Sequence, residues 1–148
     1  MIGSVQAERI LRVVSSSDLR GPALRRLAMQ ELAGLPGRDW CGVYRLAGDA
    51  LELDEFVGAA TDHVRIPVGV GVCGTAVATD ANQVVTDVRD LDNYLACSLS
   101  TRSEIVVLIR RDGAILGQID IDGHAVGAFG PEDERFLDAL AALLAARW

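Results

Sequence analysis

Apolar residues recur at helical spacing near the start of the chain, at Val5, Ile10, Leu11 and Val14 and again at Leu24, Leu27, Ala28 and Leu32, with a Ser15-Ser16-Ser17 break between them. The pattern predicts helical structure over about residues 4–35, and Pro22 suits a first turn because its missing N–H has no partner there anyway. From Trp40 the pattern shortens to strand-like pieces at residues 40–47, 50–57 and 64–68, with Gly48-Asp49 as a tight turn. A glycine-rich stretch, residues 69–74, leads into a short helix over residues 75–79 that puts Cys73 at its N-terminus. A strand near Val84, a polar irregular stretch over residues 87–101 and two strong strands at 104–110 and 114–122 follow. The last helix, about 131–147, begins at Pro131. It carries Glu132, Asp133 and Glu134 where the helix dipole favours acids, and turns Phe136, Leu137, Leu140, Leu143 and Leu144 inward. Helices at both ends of a sheet region, about 39–123, predict one α+β domain over residues 1–148, with an antiparallel sheet and both terminal helical segments on one face.

The loop between the two strong strands decides which side chains share a face. A two-residue Asp112-Gly113 loop would set Ile105 against Asp120 and Glu104 against Ile121 and mix polar with apolar side chains on both faces. A three-residue loop, Arg111-Asp112-Gly113 with Gly113 left-handed, sets Ile105 against Ile119, Val107 against Gly117 and Ile109 against Ile115. One face is then wholly apolar, and the other presents Glu104 opposite Asp120 with Asp122 two residues on. Because a buried face specifies register, the three-residue loop is the expectation. Three converging carboxylates raise at least one pKa and keep a proton available near neutrality, unless that face is an ordinary solvated one.

Composition narrows the chemistry further. Half of the 148 residues are hydrophobic, enough for one core. The formal charge is −7, and all 14 basic residues are arginine. Without lysine there is no Schiff-base or P-loop chemistry, and the acidic balance argues against nucleic acid. The longest apolar run, residues 139–146, is too short for a membrane span, and Gln6, Glu8, Arg9 and Arg12 interrupt any signal-peptide core. A cytoplasmic protein is expected. Cysteines at 41, 73 and 97 form no C-x-x-C pair, and His63 and His124 are too few for a multi-histidine metal site. A site built from Glu104, Asp120, Asp122 and His63 has no metal-ligand spacing to support it, so no metal is expected. Cys41, by strand alternation, points away from the face of Trp40 and Gly42 and reads as core.

Ordered motifs run from Trp40 to the final helix, over roughly two-thirds of the chain: Trp40-Cys-Gly-Val-Tyr44, Arg65-Ile-Pro-Val-Gly-Val-Gly-Val-Cys-Gly-Thr-Ala76, Leu95-Ala-Cys-Ser98, Ser103-Glu-Ile-Val-Val107, Gly117-Gln-Ile-Asp-Ile-Asp122 and Phe129-Gly-Pro-Glu-Asp133. As a set they resemble the free methionine-(R)-sulfoxide reductases, small GAF-domain enzymes. The resemblance implies a ligand pocket on the sheet face opposite the helices. It makes Cys97 the nucleophile that attacks the sulfoxide sulfur and is left as a sulfenic acid. It makes Glu104, Asp120 and Asp122 the groups that hold the substrate ammonium and supply a proton, with Trp40 and Tyr44 walling the methyl-sulfur end. It further implies thioredoxin or a small thiol as reductant, no cofactor, and a homodimer.

The departures from the family pattern are informative. His63 stands where the family usually has a resolving cysteine, which leaves Cys73 or an external thiol to resolve Cys97 and offers an imidazolium to modulate it. Arg102, where asparagine is frequent, is expected to bring a positive charge beside the acids. A GAF ligand-binding or redox-sensing module that has lost turnover is the alternative reading.

Overall fold

The computed structural model describes residues 1–95 and 99–148. Helices α1 (Ser4–Ser16) and α2 (Gly21–Ala33) precede strands β1 (Trp40–Ala47), β2 (Ala50–Val57) and β3 (Arg65–Pro67). Helix α3 (Gly71–Thr79), strand β4 (Gln83–Val85) and a 3-10 turn (Val88–Asp90) lead to β5 (Ser103–Arg111), β6 (Ala114–Gly123) and α4 (Pro131–Ala146). The described strands form one antiparallel sheet in the order β3-β2-β1-β6-β5-β4.

Strand alternation sorts the sheet into two faces with separate cores. Cys41, Val43, Ile105, Val107, Ile109, Ile119 and Ile121 meet α1, α2 and α4 through Ile10, Val14, Leu24, Leu32, Leu137, Leu140 and Leu144. On the other face Trp40, Tyr44, Val106 and Leu108 pack under α3 through Val72, Cys73 and Ala76. Of the apolar residues that set the helical periodicity, Val5 is 78% exposed, and Leu11, Leu27 and Leu143 are only partly buried, at the rim of the helix-side core. Helix α3 starts at Gly71 rather than at residue 75, so the glycine-rich segment supplies its first turn and Cys73 lies within that turn.

The β5–β6 hairpin corrects the expected register while keeping its consequence. Arg111 pairs with Ala114, so the loop is the two residues Asp112 and Gly113, both at positive φ, 54° and 81°, as a hairpin turn that matches strand twist requires. The register then shifts between Ile109, opposite Gly117, and Arg110, opposite Ile115, leaving Leu116 as the extra residue of a bulge. Beyond it Ile105 faces Ile121 and Glu104 faces Asp122, not Ile119 and Asp120. The difference of two residues leaves every side chain on its expected face, because a period of two is blind to it. The apolar demand of the helix side is met by the bulge rather than by a longer loop.

Buried arginines tie the helical layer to the sheet. Arg25 donates to Asp54 of β2 at 2.6 Å and to the carbonyl of Trp148 at 2.7 Å, and its guanidinium lies 4.1 Å from the Trp148 ring centroid. Arg38 pairs with Asp133 at the start of α4, and Asp133 also accepts from the backbone N–H of Ile2 at 3.1 Å.

Gly117, beside the bulge, has no room for a side chain, since a Cβ there would sit 2.2 Å from the Tyr44 carbonyl oxygen. Gly117→Ala is therefore expected to destabilise the protein by about 2–3 kcal/mol, the usual scale of an overpacking change. Chemical denaturation checks this, and an unchanged midpoint would mean the β1–β6 spacing is looser than described.

Candidate active site

The even register between β5 and β6 and the pairing of β6 with β1 lay the site out in rungs. Trp40, Asp122 and Glu104 form one rung, Gly42, Asp120 and Val106 the next, and Tyr44, Gln118 and Leu108 the third. All three acids are on the α3 side, and none is solvated: Glu104 is 3% exposed, Asp120 0% and Asp122 2%. The ordinary polar sheet face left open by the sequence is thus absent here.

Helix α3 closes the site from above. The Cys73 thiol lies 3.9 Å from Glu104 Oε1, and Sγ and one oxygen each from Glu104 and Asp120 all fall within 4.8 Å of one another. Their number and spacing would admit a cation on one soft and two hard donors, but Asp122 and His63 are outside the group. The aromatic wall stands beside the acids. Trp40 and Tyr44 have ring centroids 6.3 Å apart, and Phe56 stacks on Trp40 at 5.7 Å. Gly42 lies between them on β1, where a Cβ would be 2.3 Å from the indole, so only glycine lets that ring lie across the strand. Trp40 Nε1 donates to the carbonyl of Ala59 at 3.0 Å and the Tyr44 hydroxyl to the carbonyl of His63 at 2.9 Å, which fixes both rings against the β2–β3 connection.

Burial and crowding set the electrostatics. Glu104 is pushed well above the usual carboxylate range, first by desolvation and then by Asp120 and Asp122. Asp122 is pushed up by desolvation and then by Asp120 and Asp39. Asp120 is also raised by desolvation, but hydrogen bonds from Glu104 and Cys73 act in the opposite direction. The arrangement therefore keeps a proton on Glu104 and lets Asp120 accept it. Among the described residues no ion pair includes any of the three. Apart from the Glu104 carboxyl and the Cys73 thiol at Asp120, no N–H or hydroxyl group among the described residues reaches the oxygens of Asp120 or Asp122.

Of the other residues singled out from the sequence, Cys41 is fully buried on the helix side and pushed up to about 12 by desolvation and by Asp120, as a core thiol should be. Cys97 lies outside the described residues. His63 is half-buried and meets the site through its backbone carbonyl. Arg102 does not extend toward the acids: it donates to Asp87 at 3.0 Å, and that pairing, with the Arg89 N–H, holds the Asp87 carboxyl below its ordinary value. A local partner on the 3-10 turn wins over more distant carboxylates.

Sequence reasoning passed over three residues. Phe56 extends the aromatic wall. Asn93 accepts from Gly71 N–H at 3.3 Å and donates to the carbonyl of Gly69 at 3.2 Å, pinning its own segment to the first turn of α3. Gln118 is fully buried on the acid face, and its place in the alternation with Asp120 and Asp122 was the available signal.

Comparison with known proteins places this geometry in context. The GAF domain family matches residues 23–148. The free methionine-R-sulfoxide reductase of Escherichia coli (strain K12) is 44% identical over 106 residues, covering 72% of this chain and 64% of that protein, so the chain spans just under two thirds of that relative. The structure of type II free methionine-R-sulfoxide reductase from Thermoplasma acidophilum superposes with a TM-score of 0.82 at 38% identity, covering 93% of each chain. That of the free methionine-R-sulfoxide reductase from Neisseria meningitidis, solved with its substrate, gives a TM-score of 0.88 at 32% identity, covering 99% of this chain and 92% of the other.

The raised acids predict a pH signature in stability. The folded protein holds protons that the unfolded chain releases above about pH 4, so wild-type stability falls as pH rises from there toward the folded-state values. Glu104→Gln removes one such group. It is expected to melt higher than wild type by a margin that widens from pH 5 to pH 8, reaching about 3–6 °C. A margin independent of pH in thermal melts would show that Glu104 ionises normally.

Proposed function

Because the chain belongs to the GAF-domain family and, within it, to the free methionine-(R)-sulfoxide reductases, we propose that it reduces free L-methionine-(R)-sulfoxide to methionine. The observation that carries the reading is the buried meeting of the Cys73 thiol, Glu104 and Asp120, under α3 and beside the Trp40–Tyr44 wall. A small zwitterion with a methyl sulfoxide suits such a site. The aromatic rings take the methyl-sulfur end. The acids take the ammonium and the sulfoxide oxygen.

In the proposed reaction the Cys97 thiolate attacks the sulfoxide sulfur while Glu104 protonates the sulfoxide oxygen. Oxygen passes to Cys97, the S–O bond of the substrate breaks, and methionine leaves with its sulfur reduced while Cys97 becomes a sulfenic acid. Preorganised proton donation is where the acids act, because the developing oxyanion needs a proton in a site that excludes water. Asp120 accepts from Glu104 before transfer, and Asp122 keeps the Glu104 carboxyl protonated by its proximity. Cys73 then resolves the sulfenic acid, giving a disulfide and water. Thioredoxin or a small thiol returns both sulfurs to thiols. With histidine at position 63, the resolving step falls to Cys73, and the segment holds Tyr44 through the His63 carbonyl. A homodimer through the α1–α4 face fits the groove of about 330 Å³ lined by Leu11, Arg12, Ser15, Ala139 and Leu143. Among the described residues no helix is long and apolar enough to cross a membrane.

Single-turnover assay of the pre-reduced protein with the separate R and S sulfoxides tests the reading. Methionine is expected from the R form alone. None is expected from Cys97→Ser, while Cys73→Ser should complete one turnover and lose thioredoxin-driven cycling. Binding of the sulfoxide with no methionine from wild type would make the protein a ligand-binding GAF module instead.

A further inference from the structure

Gln118 is fully buried, and neither Oε1 nor Nε2 has a hydrogen-bond partner among the described residues. An amide left unpaired in the interior destabilises the fold, and an apolar side chain of similar shape would remove that cost. The surroundings would welcome one: Gln118 is flanked across the sheet by Tyr44 on β1 and Leu108 on β5. No described residue pairs with the amide, and a bound ligand would give it a partner.

The position says what that is. Gln118 lies two residues before Asp120 on β6, on the same face and about 7 Å along the strand. The other buried polar residues that β5 and β6 turn to this face, Glu104, Asp120 and Asp122, are all acids, and the Trp40 N–H and Tyr44 hydroxyl are given to the carbonyls of Ala59 and His63. The acids suit an ammonium and a sulfoxide oxygen but repel the α-carboxylate of an amino acid, and Arg102, the nearest cation in sequence to Glu104, is engaged with Asp87. A neutral amide is the side chain that can donate to a carboxylate there.

Resting on the reductase reading above, we propose that Gln118 is a substrate-binding residue whose Nε2 donates to the α-carboxylate of the free amino-acid sulfoxide. It thereby distinguishes a free amino acid from other methyl sulfoxides.

The test compares wild type with Gln118→Leu and Gln118→Met on racemic methionine sulfoxide and on 3-(methylsulfinyl)propylamine, the same molecule without its carboxylate. Thermal melting of the ligand-free proteins is measured alongside. Both variants are expected to melt at or above the wild-type temperature. They should lose about tenfold in kcat/KM for methionine sulfoxide, the worth of one hydrogen bond to a charged group, chiefly through KM. Their activity on the amine should be unchanged. A lower melting temperature with KM intact would make Gln118 a structural residue, and an equal loss on both sulfoxides would remove the carboxylate as its partner. If wild type neither binds nor reduces either sulfoxide, the reductase reading fails and takes this assignment with it. If wild type reduces methionine sulfoxide normally and the variants match it, this assignment alone fails.

Discussion

Three carboxyl groups buried side by side, with no cation among the described residues to balance them, cannot all be ionised, and much of this protein's architecture serves to hold them in that condition. Glu104 and Asp122 face each other across β5 and β6, Asp120 is on the adjoining rung, and α3 lies over them with Cys73 at contact distance. The like charges and the low-dielectric surroundings act in the same direction, so protons stay in the site at pH values where exposed carboxyls have long lost them. The fold bears a cost for this. That cost is tolerable because the helix-side core is large and wholly apolar.

The bulge at Leu116 is the device that makes both faces possible. The Asp112-Gly113 turn alone would have carried a register that sets Glu104 opposite Ile121 and Ile105 opposite Asp120, with acids on both faces. One extra residue restores the parity, and with it Ile105, Ile119 and Ile121 stay against the helices while Glu104, Asp120 and Asp122 stay beneath α3. Core and site are thus two outcomes of a single irregularity. The same sheet brings Trp40 and Tyr44 alongside, each ring anchored by a hydrogen bond to the β2–β3 connection.

What the sequence disclosed follows the range of the interactions concerned. Element types came from local periodicity, and the convergence of the acids came from alternation, which depends only on parity. The register itself was two residues off, because a bulge several positions from the turn leaves no local mark. Arg102 was misplaced for a related reason: its partner, Asp87, is fifteen residues away and is presented by a 3-10 turn that the polar stretch did not announce. Gln118 stands within the Gly117–Asp122 motif, but an unpaired amide is visible only once its neighbours are known. Asn93, bonded to the first turn of α3 from more than twenty positions away, was illegible for the same reason.

The central claim is that Glu104 keeps its proton at neutral pH in the ligand-free protein. Infrared difference spectroscopy of wild type against Glu104→Gln, recorded at pH 7, tests it directly. A protonated-carboxyl C=O band present in wild type and lost in the variant is the predicted result. Carboxylate bands alone, with no protonated carboxyl to lose, would contradict it.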